Sequence, residues 1–426
     1  MTLPTGYRKV DLTDERSAEF LAVDAWAFAL PEAEVAAANV SETIDWSRSR
    51  GIEFDVSQGS EQGESGEREL AAVHSSYGYG MRVPGGTVPT SGLTWVGVHP
   101  SHRRRGLLSS MIDDHFTRSR ERGEIVSTLF AAETTIYQRF GYGLACPVYH
   151  LTLPRGAQLR AVAGSDDLRL RLEDANLAVH SEAVRAVLAR DQRPGAMATT
   201  GDSLLANLFL DPEPTRDGHE RRRIAIVEDK DGPAAFALFQ RKLGYGASGP
   251  TGTGQSTDGW AAATAAAERR MWSVLADLDL MTSMRVTSVA LDSPLIHLLK
   301  DVRGVVANMR DQVWVRILDV PAALSARTYL KDVALTIAVE DSLLAENSHP
   351  WRFTVVNGVA TVERAERDTS VDVSLSIQEL SAAYLGGTTL DALAGAGLVD
   401  EVRLGAVADL SDAFRSRLAP RGSLHF

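Results

Sequence analysis

The stretch that most constrains this chain is Thr94-Trp95-Val96-Gly97-Val98-His99-Pro100-Ser101-His102-Arg103-Arg104-Arg105-Gly106-Leu107-Leu108. An apolar, β-branched run meets a proline turn, and three arginines and a glycine then open a helical pattern. The first N–H groups of a helix have no intrahelical partner and carry positive partial charge, so such a junction is a ready anion site. Gly106 lets a phosphate approach the backbone, because no Cβ stands in the way. The arginines add long-range charge suited to a polyphosphate. By itself, an R-x-x-G is equally an ordinary basic helix start on a solvated face. The strand–turn–helix context and the Val98-His99-Pro100 spacing favour the anion site.

The flanking sequence reads as mixed α and β. Asp11 to Phe28 has Phe20, Leu21, Trp26 and Phe28 at helical spacing, Asp24 on the exposed side, and Asp11 and Thr13 as capping candidates. Residues 57–67 are polar and glycine-rich, which predicts a loop. Strands are expected over 70–81 and 93–98, around Pro84-Gly85-Gly86. A helix from about Arg105 to Arg122 would bury Leu108, Ile112 and Phe116 and stop at Gly123. Ile125–Phe130 reads as a strand and Thr134–Phe140 as a short helix. A second segment begins near Pro154, with a hairpin of 222–228 and 234–243 around Asp231-Gly232, a helix over 261–277 and a strand over 285–290. A third starts near residue 313, with strands at 314–320, 335–339, 351–356, 359–362 and 371–376, and helices to the end.

Length and composition bound the rest. A chain of 426 residues carries a prior of about three domains. With 44% hydrophobic and 23% charged residues it is globular, which excludes a disordered chain, a collagen-like fibre and a coiled coil. The single Cys146 excludes a disulfide framework and a cysteine-rich zinc site, and no histidine pair shows H-x-x-x-H spacing, so no metal is expected. There is no apolar leader and no uninterrupted apolar run of about 18 residues, so a cytoplasmic protein without a membrane partner is expected. The net charge of −12 argues against nucleic acid as partner. That charge is uneven. Residues 1–69 hold 6 Lys and Arg against 15 Asp and Glu, whereas residues 101–122 hold 6 Arg against 3 acids. The pairing suits a cationic acceptor beside an anionic cofactor, and equally describes an acidic solvated surface. Gly244-Tyr245-Gly246-Ala247-Ser248-Gly249 fits G-x-G-x-x-G but runs into Pro250 instead of a helix, so it reads as a flexible loop.

Residues Val96 to Leu108 resemble the acetyl-CoA signature of the GCN5-related N-acetyltransferases. Within that superfamily, His102 to Leu108 and Ile136-Tyr137-Gln138-Arg139-Phe140-Gly141-Tyr142-Gly143 resemble the Eis (enhanced intracellular survival) acetyltransferases of actinobacteria. Leu108 departs from the small residue usual at its position in the superfamily. The resemblance spans the whole chain. It implies an α+β architecture: two tandem acetyltransferase-fold units (1–153, binding acetyl-CoA, and 154–312), then a sterol-carrier-protein-like α/β unit (313–426).

The resemblance also implies roles. Val96, Gly97 and Val98 would bind the pantetheine and acetyl end through backbone groups. Arg104, Arg105, Gly106, Leu107, Leu108 and Ser109 would hold the pyrophosphate, with Glu133 a further cofactor contact. Tyr137 would be the general acid for the departing thiolate; its alternative is a core tyrosine. The carboxylate of Phe426 would accept the ammonium proton or anchor the ammonium, against the alternative of a frayed terminus. Tyr142 would pack. The implied function is acetyl-CoA-dependent N-acetylation of primary amines on cationic substrates (aminoglycosides, polyamines or lysine side chains of peptides) by a homohexamer. The alternatives are a non-catalytic regulatory or lipid-binding protein, and an acetyltransferase dedicated to one metabolite.

Overall fold

The structure, a computed structural model, describes residues 3–30, 40–58 and 68–426, without the side chains of Gln58 and Asp258. The loop expected over 57–67 lies outside the described residues from position 59 onward.

The first segment supplies strands β1 (Tyr7–Asp11), β2 (Arg50–Asp55), β3 (Arg68–Val83), β4 (Gly86–Val98), β5 (Val126–Leu129) and β6 (Gly143–Pro154). Its helices are α1 (Ser17–Phe28), α2 (Leu107–Glu121) and the single turn α3 (Thr134–Tyr137). The β3–β4 hairpin closes at Val83↔Gly86, where the Pro84-Gly85-Gly86 signal falls. The two long helices cover opposite faces. Phe20, Leu21 and Val23 of α1 pack with Leu70 and Val73, while Leu107 and Met111 of α2 pack with Ile52, Ala71 and Ala72.

The second segment supplies β7 (Arg169–Asp174), β8 (Met197–Thr200), β9 (Arg223–Asp229), β10 (Gly232–Lys242), the two-residue strands β11 (Tyr245–Gly246) and β12 (Gly249–Pro250), β13 (Gly252–Ala262), β14 (Met281–Ala290) and β15 (Val306–Ile317). The G-x-G-x-x-G run is thus a short β-ribbon leading into β13, and it opens no helix. Helices α4 (Leu177–Arg190), α5 (Asp202–Phe209), α6 (Ala265–Leu275) and α7 (Pro294–Leu298) accompany these strands. The helix expected from 261 starts later, because 261–262 finish β13 and Thr264 caps α6.

All but the ribbon join one sheet, in the order β1-β2-β3-β4-β5-β15-β6-β14-β13-β10-β9-β7, with β8 on β3. Its centre is an exchange of strands. β15, late in the chain, lies antiparallel between β5 and β6, and β6, early in the chain, lies antiparallel between β15 and β14. β14 therefore stands to β6 as β5 stands to β15, and each half of the sheet is completed by a strand from the other.

The third segment forms a separate five-stranded sheet, β18-β17-β16-β19-β20, from β16 (Val333–Glu340), β17 (Pro350–Val356), β18 (Val359–Arg364), β19 (Val373–Ser376) and β20 (Val399–Glu401). Helices α8 (Val320–Ser325), α9 (Ile377–Ala383), α10 (Leu390–Gly395) and α11 (Ala406–Phe414) complete it. It packs on the exchanged strands. A Cβ at Gly143 would stand 2.2 Å from the Gln378 carbonyl oxygen, and the Ile317 N–H donates to Ser381 Oγ. The fold is α+β.

The strand expected over 314–320 ends at Ile317, because Val320 opens α8, and the expected face of α1 is also corrected. Asp24 is 3% exposed, whereas Trp26 and Phe28 are 64% and 45% exposed. The helix lies along β4 at Gly97, where a Cβ would come within 3.3 Å of Ala27 Cβ. The line Phe20–Val23–Asp24–Ala27, spaced i, i+3, i+4, i+7, therefore faces the sheet.

Candidate active site

Strands β4 and β5 run parallel and pair only from Thr90↔Val126 to Gly92↔Thr128. β4 then continues to Val98 without β5, so a cleft opens between them. A bulge sits at its edge: Ser75 pairs with Thr94 and Val73 with Gly97, leaving Trp95 and Val96 opposite His74 alone, and Trp95 takes φ 55°. The bulge sends the Trp95 ring to the α1 face and Val96 to the α2 face. Beyond it, the His99 N–H donates to the Ala71 carbonyl at 2.9 Å. Strand alternation therefore turns the Val98 N–H away from β3, toward the side where β5 has diverged.

The loop after β4 is anchored from beneath. His102 is buried, with Nδ1 2.8 Å from the Tyr7 hydroxyl and Nε2 3.0 Å from Glu69 Oε1, so it ties the loop to the sheet. Arg104 and Gly106 both adopt left-handed backbone, at φ 62° and 78°. No side chain caps α2 at Gly106, and the helical bonds begin with the Ser110 N–H to the Gly106 carbonyl. A Cβ at Gly106 would meet no atom within 4 Å, so the approach is open, and Arg103, Arg104 and Arg105 are exposed around it. The side chain of Leu107 is buried and those of Leu108 and Ser109 are half-buried, so the backbone of these residues is what faces an incoming anion. Uncapped N–H groups, left-handed residues on either side of Arg105 and flanking cations fit a pyrophosphate.

Tyr137 ends α3, half-buried, with its ring 5.9 Å from that of Tyr142 and among Ile112, Phe116 and Leu129 on the α2 face. Burial, and then the nearby Glu133 carboxylate, push its phenol up to about 12. Glu133 itself is exposed at the start of α3. Tyr142 is fully buried, 2.7 Å from Ser127 Oγ, as expected of a packing residue.

Phe426 comes from the far end of the chain. Residues 420–424 are buried, and Phe426 itself is half-exposed. Its ring lies 4.9 Å from Phe130, 5.7 Å from Tyr77 and 6.0 Å from Tyr79. It sits over Gly92, the last β4 residue paired with β5; a Cβ there would stand 2.4 Å from Phe426 Cζ. Tyr77 and Trp95 belong to the α1 face, and the Trp95 N–H donates to the Tyr77 hydroxyl at 3.3 Å. Phe426 and Tyr137 thus flank the same opening from opposite faces.

On the α1 face a cavity of about 220 Å³ is lined by Leu21, Asp24, Trp95, Asn207, Leu210 and neighbours. One wall is therefore contributed by the second segment. Reading Asp24 as solvent-facing concealed it; an acid inside an apolar helix stretch was the available signal. Asn207 carries no such signal. Among the described residues, no group of three or more His, Cys, Asp or Glu could hold a metal ion, and no helix is long and apolar enough to cross a membrane.

Comparison with known proteins agrees with this construction. Residues 9–145 and 205–317 each match a family model for an acetyltransferase (GNAT) domain, and residues 320–421 match one for a sterol carrier protein domain. An uncharacterized N-acetyltransferase of Streptomyces avermitilis is 38% identical over 352 residues, 81% of this chain and 84% of that protein. N-acetyltransferase Eis of Mycobacterium tuberculosis is 32% identical over 329 residues, 74% of this chain and 76% of that protein. The crystal structure of Eis1 from Mycobacterium abscessus superposes with TM-score 0.78 at 29% identity, covering 99% of this chain and 100% of that one. With two GNAT domains, a sterol-carrier-like domain and relatives at this identity, the chain belongs to the Eis-like N-acetyltransferases of the GNAT superfamily.

Proposed function

We propose that residues 1–153 bind acetyl-CoA and transfer its acetyl group to primary amines of cationic substrates, with aminoglycosides, polyamines and lysine side chains as the acceptor classes. The observation that carries this reading is the placement of Phe426 and Tyr137 on opposite faces of the β4–β5 opening, beside the Arg104–Gly106 loop.

In this reading the backbone N–H groups of Gly106, Leu107, Leu108 and Ser109, with the Arg104 and Arg105 side chains, hold the pyrophosphate. Val96, Gly97 and Val98 guide the pantetheine along the unpaired edge of β4, and Glu133 borders the cofactor from α3. The Phe426 carboxylate anchors the ammonium on the α1 face and takes its proton, through water where its own basicity falls short. The free amine attacks the thioester carbonyl, whose developing oxyanion accepts a hydrogen bond from the Val98 N–H. When the tetrahedral intermediate collapses and its C–S bond breaks, Tyr137, protonated at neutral pH, gives its proton to the thiolate on the other face. The second proton of the attacking nitrogen leaves through water to restore the phenol. Asp24 adds a buried acidic side chain to the acceptor cavity, which suits a cation.

The test is thiol release from acetyl-CoA across a panel of aminoglycosides, polyamines and lysine peptides. Turnover with several members is expected. No release with any member would overturn the reading, and release with a single small amine alone would assign a dedicated metabolite instead.

A further inference from the structure

The proposed acid and base lie 289 positions apart in sequence, yet one strand touches the support of each. β15 is inserted between β5 and β6, and two of its buried side chains leave the ladder to hold other parts of the chain. Gln312 is a bulge residue: Asp311 pairs with Pro147 and Val313 with Cys146, leaving it without a partner on β6. Its amide instead clasps the tail in both directions. Nε2 donates to the Gly422 carbonyl at 3.0 Å, and Oε1 accepts the Gly422 N–H at 2.8 Å. A primary amide presents the donor and the acceptor that this reciprocal pair requires. Gly422 is four residues from Phe426, so a shift at the clasp moves the end of the tail.

Arg316 does the corresponding work for the Tyr137 turn. Its Nε donates to the Phe140 carbonyl at 2.8 Å, three residues after Tyr137. Its Nη2 reaches both carboxylate oxygens of Asp341 in the third segment, at 2.8 and 2.7 Å, with both side chains fully buried. Asp341 is fixed in turn by the Leu343 and Leu344 N–H groups and by Asn347 Nδ2. The guanidinium therefore has one available pose, and the turn is pinned to it.

We infer that Gln312 and Arg316 are positioning residues: from one strand they fix the tail that carries Phe426 and the turn that carries Tyr137. The inference rests on the acid and base roles proposed above.

The test uses the full-length chain with Gln312→Met and Arg316→Lys. The first keeps the length and volume but loses both hydrogen bonds to Gly422; the second keeps a charge for Asp341 but cannot bridge it to Phe140. The readouts are kcat with the fastest amine of the panel, KM for acetyl-CoA, and hydrogen exchange by mass spectrometry. The expected result is an approximately tenfold or larger fall in kcat for each variant, with KM for acetyl-CoA held within about twofold. Exchange should quicken over 420–426 only in Gln312→Met and over 138–143 only in Arg316→Lys. A merely structural loss would lower the fraction of chain that binds acetyl-CoA and leave kcat per binding site unchanged, and that result would overturn the inference. Unchanged exchange in both segments would also overturn it. Tyr137→Phe and a one-residue C-terminal extension run beside them. If those two keep the parent kcat, the acid and base roles have failed; if they are impaired while both β15 variants turn over normally, the positioning claim alone has failed. Should Arg316→Lys not fold, Gln312→Met decides.

Discussion

The β4–β5 and β13–β14 openings are built on one plan: two parallel strands pair briefly, from Thr90↔Val126 to Gly92↔Thr128 or from Gly252↔Met281 to Gln255↔Arg285, and then part. The helix openings beyond them differ. After β4 come three exposed arginines, a left-handed Gly106 and a helix that no side chain caps. After β13 comes Thr264, whose hydroxyl accepts the Ala267 N–H, so α6 begins already satisfied. The second opening is also filled. The Trp260 indole donates across it to the Thr287 carbonyl, and the buried Arg421 guanidinium lies 4.1 Å from the Trp260 ring. Its helix carries a buried acid, Glu268, where the first opening presents cations. A shared fold need not make both halves cofactor sites; on the function proposed above, the residues at the helix opening decide.

The sharpest way to break this comparison is to remove the chemistry from the first opening. Tyr137→Phe should lower kcat ~100-fold with KM for acetyl-CoA little changed, as steady-state kinetics would show. Because burial and Glu133 push this phenol up to about 12, the acid stays protonated through the ordinary range. Activity that depends on it should be lost only at higher pH, so kcat should show no falling limb up to about pH 10. A limb near neutrality would assign the proton to another group. Gly92→Ala comes next. Its Cβ would occupy the place of the Phe426 ring, so displacement of the tail should reduce kcat ~10-fold while the melting temperature stays close to the parent's. Gly106→Ala strains a residue at φ 78°, at a cost of about 1 kcal/mol; relief by rotation turns N–H groups from the anion, so acetyl-CoA binding should weaken ~5-fold by calorimetry. The smallest effect belongs to the other opening. Thr264→Ala should cost about 1 kcal/mol of stability in a denaturant melt and leave acetyl-CoA affinity where it was.

Much of the first opening was legible in sequence because its signals are local. The Arg-Gly junction, the hairpin at Pro84-Gly85 and helix α2 with its Leu108–Ile112–Phe116 stripe all depend on neighbours within a few residues. The strand exchange was not legible. Nothing in Val306–Ile317 announces that it pairs with Val126–Leu129 and Gly143–Thr152, because strand partners are chosen by tertiary packing and leave no local mark. The face of α1 was misjudged for a similar reason: Trp26 and Phe28 look like core, yet contact with Gly97 turns Asp24 and Ala27 inward. The seat of Phe426 over Gly92 belongs to the same class, a contact between residues 334 positions apart.

The most direct test of the central claim, that only the first opening binds cofactor, is a calorimetric titration of acetyl-CoA into the full-length chain, repeated with Arg104→Glu and Arg105→Glu combined. One acetyl-CoA per chain is predicted, with binding weakened at least ~10-fold by the charge reversal. Two per chain, or one that survives the reversal undiminished, would contradict the claim.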